Sequence, residues 1–397
     1  MSTKRIVILG ASGFVGTTLT ERLQKWPEVE VVPVIHSAGS SWRLARRSAP
    51  LLQVDIADRA ALIDALRGAT HVVNCTRGGR DVMIDGLRNI LDGCRTAGVG
   101  RFVHLSSTLV YGDPPHPDSH HEDAPTNPPT GAESYGMIKL EQDRMVQAAA
   151  AAGLPSVVLC PPNISGPFSG YVTGIVNGLR NGSFALLDDG AGPCNLIDVR
   201  NLCHAMELAL GTGGAALDGA RMFVTDGEQV SWKDVVAELL ELSGADEVRH
   251  IERAELLRLM GRGAANKAPS VAASIRHLVS SHVRAALRKD PLLAKLDRAT
   301  RTAVTKLGRG IETKLRLGIE GPIPVSRPDP YATLAVGLCA QQLREVRHLN
   351  ERVERALGYR PPVTFSQSMA DFRAWYRKMH GMDTPFWAIS RHLYGLR

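Results

Sequence analysis

The stretch Ile6-Val7-Ile8-Leu9-Gly10-Ala11-Ser12-Gly13-Phe14-Val15-Gly16 joins a run of apolar residues to three glycines spaced three apart. The apolar run predicts a buried strand, and the pattern from Thr17 to Leu23 predicts a helix after the glycines. Glycines at such a turn let backbone N–H groups approach a pyrophosphate at the positive end of the helix. A plain strand-to-helix connection is the alternative, but the order strand, glycine turn, helix favours a dinucleotide site. The residues predicted to form it are Gly10, Ser12, Gly13, Phe14, Val15 and Gly16.

Short apolar runs and amphipathic stretches alternate up to about residue 165. The further apolar runs are Val31–Ile35, Leu51–Val54, His71–Asn74, Phe102–Leu105 and Ser156–Leu159, and helical patterns include Leu62–Leu66, Met83–Cys94 and Ile138–Ala151. Apolar strands separated by helices are typical of a parallel sheet covered on both faces. The sequence therefore predicts an α/β fold, a Rossmann-like doubly wound parallel sheet, with residues 1–165 as its dinucleotide-binding domain.

The rest of the chain is predicted to form a smaller C-terminal substrate domain from residues 166–250 and 318–397. It includes a strand-like run at Met222–Thr225 and helical patterns at Trp232–Leu242 and Thr333–Leu357. Residues 251–317 interrupt it as a basic helical insertion with 15 Lys and Arg against 5 Asp and Glu, a charge of +10 in a chain of +7. Its role stays open between a solvated basic face, a lid over the substrate and docking on an anionic membrane surface.

Composition narrows the class of protein. The 397 residues are 44% hydrophobic and 22% charged, which excludes disorder and coiled coil as descriptions of the whole chain. No apolar run reaches the ~18 residues of a membrane span and the N-terminus does not read as a secretory signal, so a cytoplasmic protein is predicted. The six cysteines form no CxxC pair, so no metal site is expected. The basic segment lacks a nucleic-acid-binding motif, so no nucleic-acid partner is expected.

The segment after the second predicted strand bears on the choice of cofactor. An NAD enzyme usually has an acidic residue there, but no Asp or Glu occurs from Val31 to Val54. His36 and Ser37 end the strand, and Arg43 follows among further serines and arginines, which suit a 2′-phosphate. NADP is therefore favoured over NAD, with a solvated basic loop as the alternative. The next strand ends at Asp55 and Ile56, where a carboxylate can accept a hydrogen bond from an adenine amino group.

Two further positions carry polar groups suited to proton transfer. Ser106 and Ser107 close the fifth predicted strand, and Tyr135 and Lys139 lie four residues apart on one face of a predicted helix. An ammonium group near a phenol lowers the phenol pKa from ~10, which makes the phenol a usable acid or base at neutral pH. The Tyr-xxx-Lys spacing alone is common on helix surfaces. Together with the upstream serine and the glycine turn, it indicates a catalytic site.

These segments resemble the extended short-chain dehydrogenase/reductase family, in particular its NAD-dependent epimerase/dehydratase branch. The matching pieces are Gly10–Gly16, Val54–Asp55, Ser106–Gly112, Glu122–Pro125, Tyr135–Lys139, Pro161–Pro167 and Leu357–Pro361. The resemblance implies catalytic roles for Ser107, Tyr135 and Lys139. It also implies cofactor contacts at Cys75, Thr76, Ser106 and Pro161, and a homodimer formed through the helices that contain Met83–Cys94 and Tyr135–Ala151.

Departures from the family pattern bear on the substrate. Dehydratases of this branch have Asp-Glu where this chain has Thr108-Leu109, so water elimination is disfavoured. Members that bind nucleotide sugars usually have an arginine opening the stretch that corresponds to Cys194–Val199, and none is present here. Asn163 matches a position that touches substrate in the family. Arg77 follows the fourth strand and is predicted to hold an anionic substrate group, with a solvated turn as the alternative. The predicted substrate contacts are Arg77, Ser107, Thr108 and Asn163.

The leading hypothesis is a cytoplasmic NAD(P)-dependent oxidoreductase or epimerase that acts on a secondary alcohol or ketone of a nucleotide-linked or lipid-linked sugar. One alternative is a hydroxysteroid or lipid-type dehydrogenase of the same superfamily, which the missing arginine and the basic insertion favour. Another alternative is a non-catalytic nucleotide-sensing protein. The presence of Ser107, Tyr135 and Lys139 argues against the sensor, because sensing requires only the cofactor turn.

Overall fold

The computed structural model describes residues 4–44, 50–131, 134–211, 218–264 and 334–380. Most of the predicted basic insertion lies outside these ranges, which include only residues 251–264 of it. Arg46 and Arg47 also lie outside them. Within the described ranges, no helix is both long and apolar enough to cross a bilayer.

A seven-stranded parallel sheet forms the centre of the molecule, which confirms the predicted fold class. Its strands are β1 (Lys4–Leu9), β2 (Val29–Ile35), β3 (Leu52–Gln53), β4 (His71–Asn74), β5 (Arg101–Leu105), β6 (Ser156–Cys160) and β10 (Asp218–Phe223). They lie in the order β10-β6-β5-β4-β1-β2-β3. The strand order reverses direction at β1, between β4 and β2, and ligands of such sheets bind in the crevice at this point.

Helices cover both faces of the sheet. They are α1 (Phe14–Leu23), α2 (Arg59–Leu66), α3 (Arg80–Thr96), α4 (Tyr135–Ala151) and α6 (Val199–Gly211). Ile6 and Ile8 of β1 point into a core with α1 and α6, while Val7 and Leu9 point into a second core with α2, α3 and α4. All four side chains are completely buried. Alternate residues of a strand face opposite sides, so an unbroken apolar run is what a doubly covered strand requires.

The remaining elements form a smaller layer beside the carboxyl ends of the strands. Its strands pair as β7 (Asn163–Ser165) with β9 (Leu196–Asp198) and as β8 (Ala185–Leu187) with β11 (Arg249–Ile251). Its helices are α5 (Gly170–Arg180), α7 (Trp232–Ser243), α8 (Arg253–Ala264), α9 (Val336–Cys339) and α11 (Phe365–Met379). The helix α10 (Glu351–Leu357) instead packs against α6 and β10 of the central sheet. A separate apolar core joins α5, α7, α8 and α11 around β8.

The predicted helix at Thr333–Leu357 is wrong in its middle. Of residues 334–357, which the structure describes, only α9, a single 3-10 turn at Ala340–Leu343 and α10 are helical, and residues 344–350 are not helical. The Asn195 side chain replaces hydrogen bonds that a continuous helix would have made, because it donates to the Val346 carbonyl at 2.7 Å and accepts from the His348 N–H at 3.2 Å. Gln342 donates to the Ala185 carbonyl at 2.7 Å and accepts from the Leu187 N–H at 2.8 Å, so it pairs with the backbone of β8.

Candidate functional site

The glycine turn brings β1, α1 and the end of β4 into close contact. Gly10 has φ +77°, and a Cβ there would lie 2.8 Å from the Cys75 carbonyl oxygen. A Cβ at Gly16 would overlap the Gly10 carbonyl oxygen and lie 2.8 Å from the Ala11 Cα. Both positions therefore need glycine for packing within the protein. Gly13 differs because it is exposed and a Cβ there would meet only the Gly10 carbonyl oxygen, at 3.3 Å.

The turn leads directly into α1, which begins at Phe14, three residues earlier than predicted. Gly13 is the N-cap residue and has no side chain to accept hydrogen bonds from the first-turn N–H groups. Phe14, Val15 and Gly16 therefore form the first turn, and their N–H groups lie at the positive end of the helix. Ser12 lies half-buried in the turn. An uncapped helix start with an open glycine face fits a dinucleotide pyrophosphate.

The end of β4 forms the opposite wall of this crevice. The Cys75 N–H donates to the Leu9 carbonyl at 3.0 Å, which fixes the residue beside the glycine turn. The Asn74 side-chain oxygen accepts from the backbone and hydroxyl of Thr76. Burial raises the pKa of the Cys75 thiol to about 12, so this thiol stays neutral and has no nucleophilic role.

The predicted adenosine contacts lie at the ends of β2 and β3. His36 Nε2 and an Asp55 carboxylate oxygen lie 4.0 Å apart, and both side chains are largely exposed. Ile56 is buried against α3, where a Cβ at Gly86 would collide with its side chain. Ser37 is half-buried and precedes the 3-10 turn Ala38–Ser40. Arg43 is only 9% exposed, and its guanidinium carbon lies 4.1 Å from the Phe168 ring centroid.

Tyr135 is the first residue of α4, and the Ser134 hydroxyl accepts from the Met137 N–H to cap that helix. Gly136 lets α4 approach the turn that follows β5, because a Cβ there would lie 2.9 Å from the Leu109 carbonyl oxygen. Ser107 precedes this turn, is half-buried and accepts from the Leu109 N–H at 3.3 Å. The structure thus brings the start of α4 to the end of β5.

Lys139 lies one turn further along α4 and is 3% exposed. Its Nζ donates to the Leu105 carbonyl at 2.7 Å and lies 5.8 Å from the Tyr135 ring centroid. Burial lowers the pKa of Lys139 to about 8, and the Asp143 carboxylate opposes this shift. Asp143 is itself completely buried, and Arg221 lies 3.6 Å from it.

The predicted lowering of the Tyr135 pKa by Lys139 is wrong. Burial raises the pKa of Tyr135 above its usual value, and the main opposing cation is Arg77. Tyr135 packs against the apolar side chains of Met83, Ile84 and Ile138, which explains the loss of water around the ring. Desolvation disfavours the phenolate, so the phenol is protonated at neutral pH.

Among the predicted substrate contacts, Arg77 lies closest to this tyrosine in the contacts that the structure shows. The Arg77 guanidinium carbon lies 5.1 Å from the Tyr135 ring centroid. The Thr108 N–H donates to the Pro161 carbonyl at 3.1 Å, which joins the ends of β5 and β6. Ser106 is buried between the same strands, where its N–H donates to the Leu159 carbonyl. Asn163 donates to the Gln341 side chain at 2.9 Å, so the chain itself holds this amide.

Three residues near the site were missed by sequence reasoning. Gln341 holds Asn163, and Arg344 binds the Asp113 carboxylate through two hydrogen bonds of 2.7 and 2.8 Å. Both lie in the segment predicted as continuous helix, where no side-chain partner could be inferred. Asp143 continues the four-residue spacing of Tyr135 and Lys139, so the spacing was the available signal for it.

A cavity of about 230 Å³ lies elsewhere, between residues 225–230 and 347–351. Its walls include none of the predicted site residues. In the part of the chain that the structure describes, no three His, Cys, Asp or Glu side chains are grouped so that they could hold a metal ion.

Comparisons with known proteins find a dehydrogenase/decarboxylase and a reductase among the proteins similar to this chain. A 3beta-hydroxysteroid-dehydrogenase/decarboxylase isoform 1 of Arabidopsis thaliana is 26% identical over 264 residues, which are 59% of this chain and 60% of that protein. A 2-alkyl-3-oxoalkanoate reductase of Stenotrophomonas maltophilia is 26% identical over 270 residues, 62% of this chain and 77% of that protein.

A solved structure shares the fold. The UDP-glucuronic acid 4-epimerase of Bacillus cereus in complex with UDP-glucuronic acid and NAD superposes with a TM-score of 0.62 at 16% identity, covering 94% of this chain and 99% of the epimerase. Residues 6–221 match the model of the NAD dependent epimerase/dehydratase family, which confirms the resemblance found in the sequence. The chain therefore belongs to the NAD-dependent epimerase/dehydratase family of extended short-chain dehydrogenases/reductases.

Proposed function

We propose that the protein is an NAD(P)-dependent oxidoreductase or epimerase that moves a hydride to or from the carbon of a secondary alcohol or ketone. One observation carries this proposal. Tyr135, a half-buried and protonated phenol, stands at the start of α4 beside the end of β5, in a fold whose glycine crevice fits a dinucleotide. A nicotinamide bound in this crevice supplies the hydride acceptor or donor.

The residues of the glycine turn would hold the pyrophosphate, and the exposed face of Gly13 leaves room for it at the start of α1. Tyr135 donates its proton to a carbonyl oxygen as that carbon is reduced, or accepts the proton in the reverse direction. Ser107 holds the same oxygen by its hydroxyl. Lys139 keeps a positive charge near the phenol while it is protonated, and its bond to the Leu105 carbonyl fixes its position.

The substrate choice lies between a sugar carried on a nucleotide or lipid and a hydroxysteroid or other lipid-type alcohol. The second class gains support from the two relatives named above, a hydroxysteroid dehydrogenase/decarboxylase and a 3-oxoalkanoate reductase. Leu196 and its neighbours in β9 carry no arginine for a diphosphate, and Arg344 is already bound to Asp113. We therefore favour a lipid-type or acidic ketone over a nucleotide sugar.

Three finer features belong to the same proposal. Arg43 favours NADP over NAD, because its guanidinium can pair with a 2′-phosphate that NAD lacks. A homodimer through α3 and α4 follows the family resemblance, and size-exclusion chromatography with light scattering tests it. The basic insertion, outside the described residues except for 251–264, would contact an anionic membrane surface from the cytoplasm.

The proposal is tested by releasing bound small molecules from the purified protein by denaturation and identifying them by mass spectrometry. NADP or NAD is expected among them. Tyr135→Phe should retain the same cofactor, because only the phenolic hydroxyl is removed, and should lose turnover by about 10²–10⁴. Full turnover in Tyr135→Phe would place proton transfer on another group.

A further inference from the structure

Arg77 differs from the other arginines around the crevice. Arg80, three residues later, binds the Glu141 carboxylate at 2.6 Å, and Arg344 binds Asp113. Arg43 is buried against Phe168. Arg77 is exposed, and among the described residues it forms no ion pair with a carboxylate. The recorded contact of its guanidinium is with the face of the Tyr135 ring.

We propose, on the basis of the function above, that Arg77 selects a substrate that carries a carboxylate one carbon away from the reacting carbon. Tyr135 binds the oxygen on the reacting carbon, and Arg77 lies 5.1 Å from the centre of the same ring. One ligand can bind both Tyr135 and Arg77 only if its reacting oxygen and its carboxylate are also close together. A planar guanidinium recognises a carboxylate through two parallel hydrogen bonds, which fixes the orientation of the acid.

The charge of Arg77 also couples substrate binding to proton transfer. Arg77 approaches the ring from the loop after β4, and Lys139 approaches it from α4. The charge of Asp143, on the same helix, disfavours the phenolate, and the residues of α3 that pack near the ring are the uncharged Met83 and Ile84. The Arg77 charge opposes the effect of burial on the Tyr135 pKa. A bound carboxylate compensates that charge, so the phenol holds its proton more firmly until the carbonyl oxygen takes it.

The carboxylate can come from two sources. In a 3-oxo acid it is separated from the ketone by one carbon, and in a uronic acid C6 is separated from C4 by one carbon. Each source has a matched compound without the charge. For 3-oxooctanoate it is 2-heptanone, and for UDP-glucuronate it is UDP-glucose.

Binding in complexes that cannot react tests the proposal without requiring turnover. The ketone pair is titrated into the NADP⁺-loaded protein and the sugar pair into the NADPH-loaded protein, with the ¹³Cζ resonance of Tyr135 as the reporter. Arg77→Gln and Arg77→Lys are compared with Arg80→Gln, which removes a neighbouring arginine that is already paired with Glu141. The Tyr135 resonance is also titrated with pH in each protein.

One acid is expected to bind about tenfold to a hundredfold more tightly than its uncharged partner, the range of a charge-assisted hydrogen bond. Arg77→Gln should abolish this preference and raise the Tyr135 pKa, because it removes the cation that opposes the effect of burial. Arg77→Lys should keep part of both effects, and Arg80→Gln should keep both in full. Failure of both acids to bind, or an acid preference that survives in Arg77→Gln, overturns the proposal. These results are independent of the turnover of Tyr135→Phe, which tests the proposed function.

Discussion

In the glycine turn, we predict that substitution of Gly16 lowers the stability of the protein, whereas substitution of Gly13 weakens cofactor binding. In Gly16→Ala the new methyl group would overlap the Gly10 carbonyl oxygen and lie 2.8 Å from the Ala11 Cα. Both neighbours are backbone atoms, so neither can move aside by changing rotamer. Overpacking of this kind typically costs about 1–3 kcal/mol. The better helix propensity of alanine returns at most about 1 kcal/mol.

Because both contacts are with backbone atoms, we take the upper end of the overpacking range, about 3 kcal/mol, and subtract about 1 kcal/mol for helix propensity, so Gly16→Ala should lower the free energy of unfolding by about 2 kcal/mol. For a unit of this size that corresponds to a fall in Tm of roughly 4–8 °C. Gly13→Ala is the matched control. Its backbone has φ −72°, which alanine adopts freely, and its Cβ would meet a single atom at 3.3 Å. We expect its unfolding free energy to change by less than about 0.5 kcal/mol.

Cofactor affinity should show the opposite order. The Gly13 methyl group would occupy the exposed face where a pyrophosphate approaches the first turn of α1, so we expect NADP⁺ to bind about tenfold or more weakly. Thermal unfolding without nucleotide and isothermal titration with NADP⁺ measure the two quantities. A Gly16→Ala protein as stable as the unchanged protein, or a Gly13→Ala protein with unchanged NADP⁺ affinity, would refute this reading of the turn.

Three further predictions concern charge. Lys139 is protonated below its pKa of about 8 and loses its charge above it, so turnover should decline above pH 8. Asp143→Asn should move this decline to lower pH, because the Asp143 carboxylate raises the Lys139 pKa. The pH profile of kcat measures both effects. Arg43→Ala should weaken NADP⁺ binding more than NAD⁺ binding, since only NADP⁺ has the extra phosphate, and equal losses by titration calorimetry would count against that role. The intact protein should sediment with anionic liposomes but not with neutral ones. Sedimentation should decrease at high salt and should be lost on deletion of residues 265–317. Protein that stays in the supernatant at low salt excludes membrane docking.

The central sheet could be predicted because its signals are local. Ile6 to Leu9 form an unbroken apolar run, and the structure buries alternate residues in two different cores. At Gly10 and Gly16, backbone atoms lie so close that a side chain would collide with them, so only glycine fits there. Strand, turn and helix are therefore each encoded within about twenty residues, and the parallel order follows from the helices between the strands.

The predictions that failed concern features that depend on residues distant in the sequence. The pattern of residues 344–350 predicts a helix, but tertiary contacts stabilise a non-helical conformation. One of these contacts is the hydrogen bond from the Asn195 side chain to the Val346 carbonyl, at 2.7 Å. The spacing of Tyr135 and Lys139 correctly placed them on one helix, yet it could not show that Met83 and Ile84 bury the phenol and raise its pKa. The approach of Arg77 to the Tyr135 ring likewise depends on how a loop folds against another element.

The central claim, for the ketone substrate favoured above, is hydride transfer from the reduced nicotinamide to a carbon whose oxygen is hydrogen-bonded by Tyr135. It is tested most directly by incubating the protein with [4-²H]NADPH and a small-molecule extract, and searching the products for deuterium by mass spectrometry. The account predicts deuterium on the carbinol carbon of a secondary alcohol with the unchanged protein, and a loss of labelling by about 10²–10⁴ with Tyr135→Phe. No labelled product with the unchanged protein, or equal labelling with Tyr135→Phe, would contradict it.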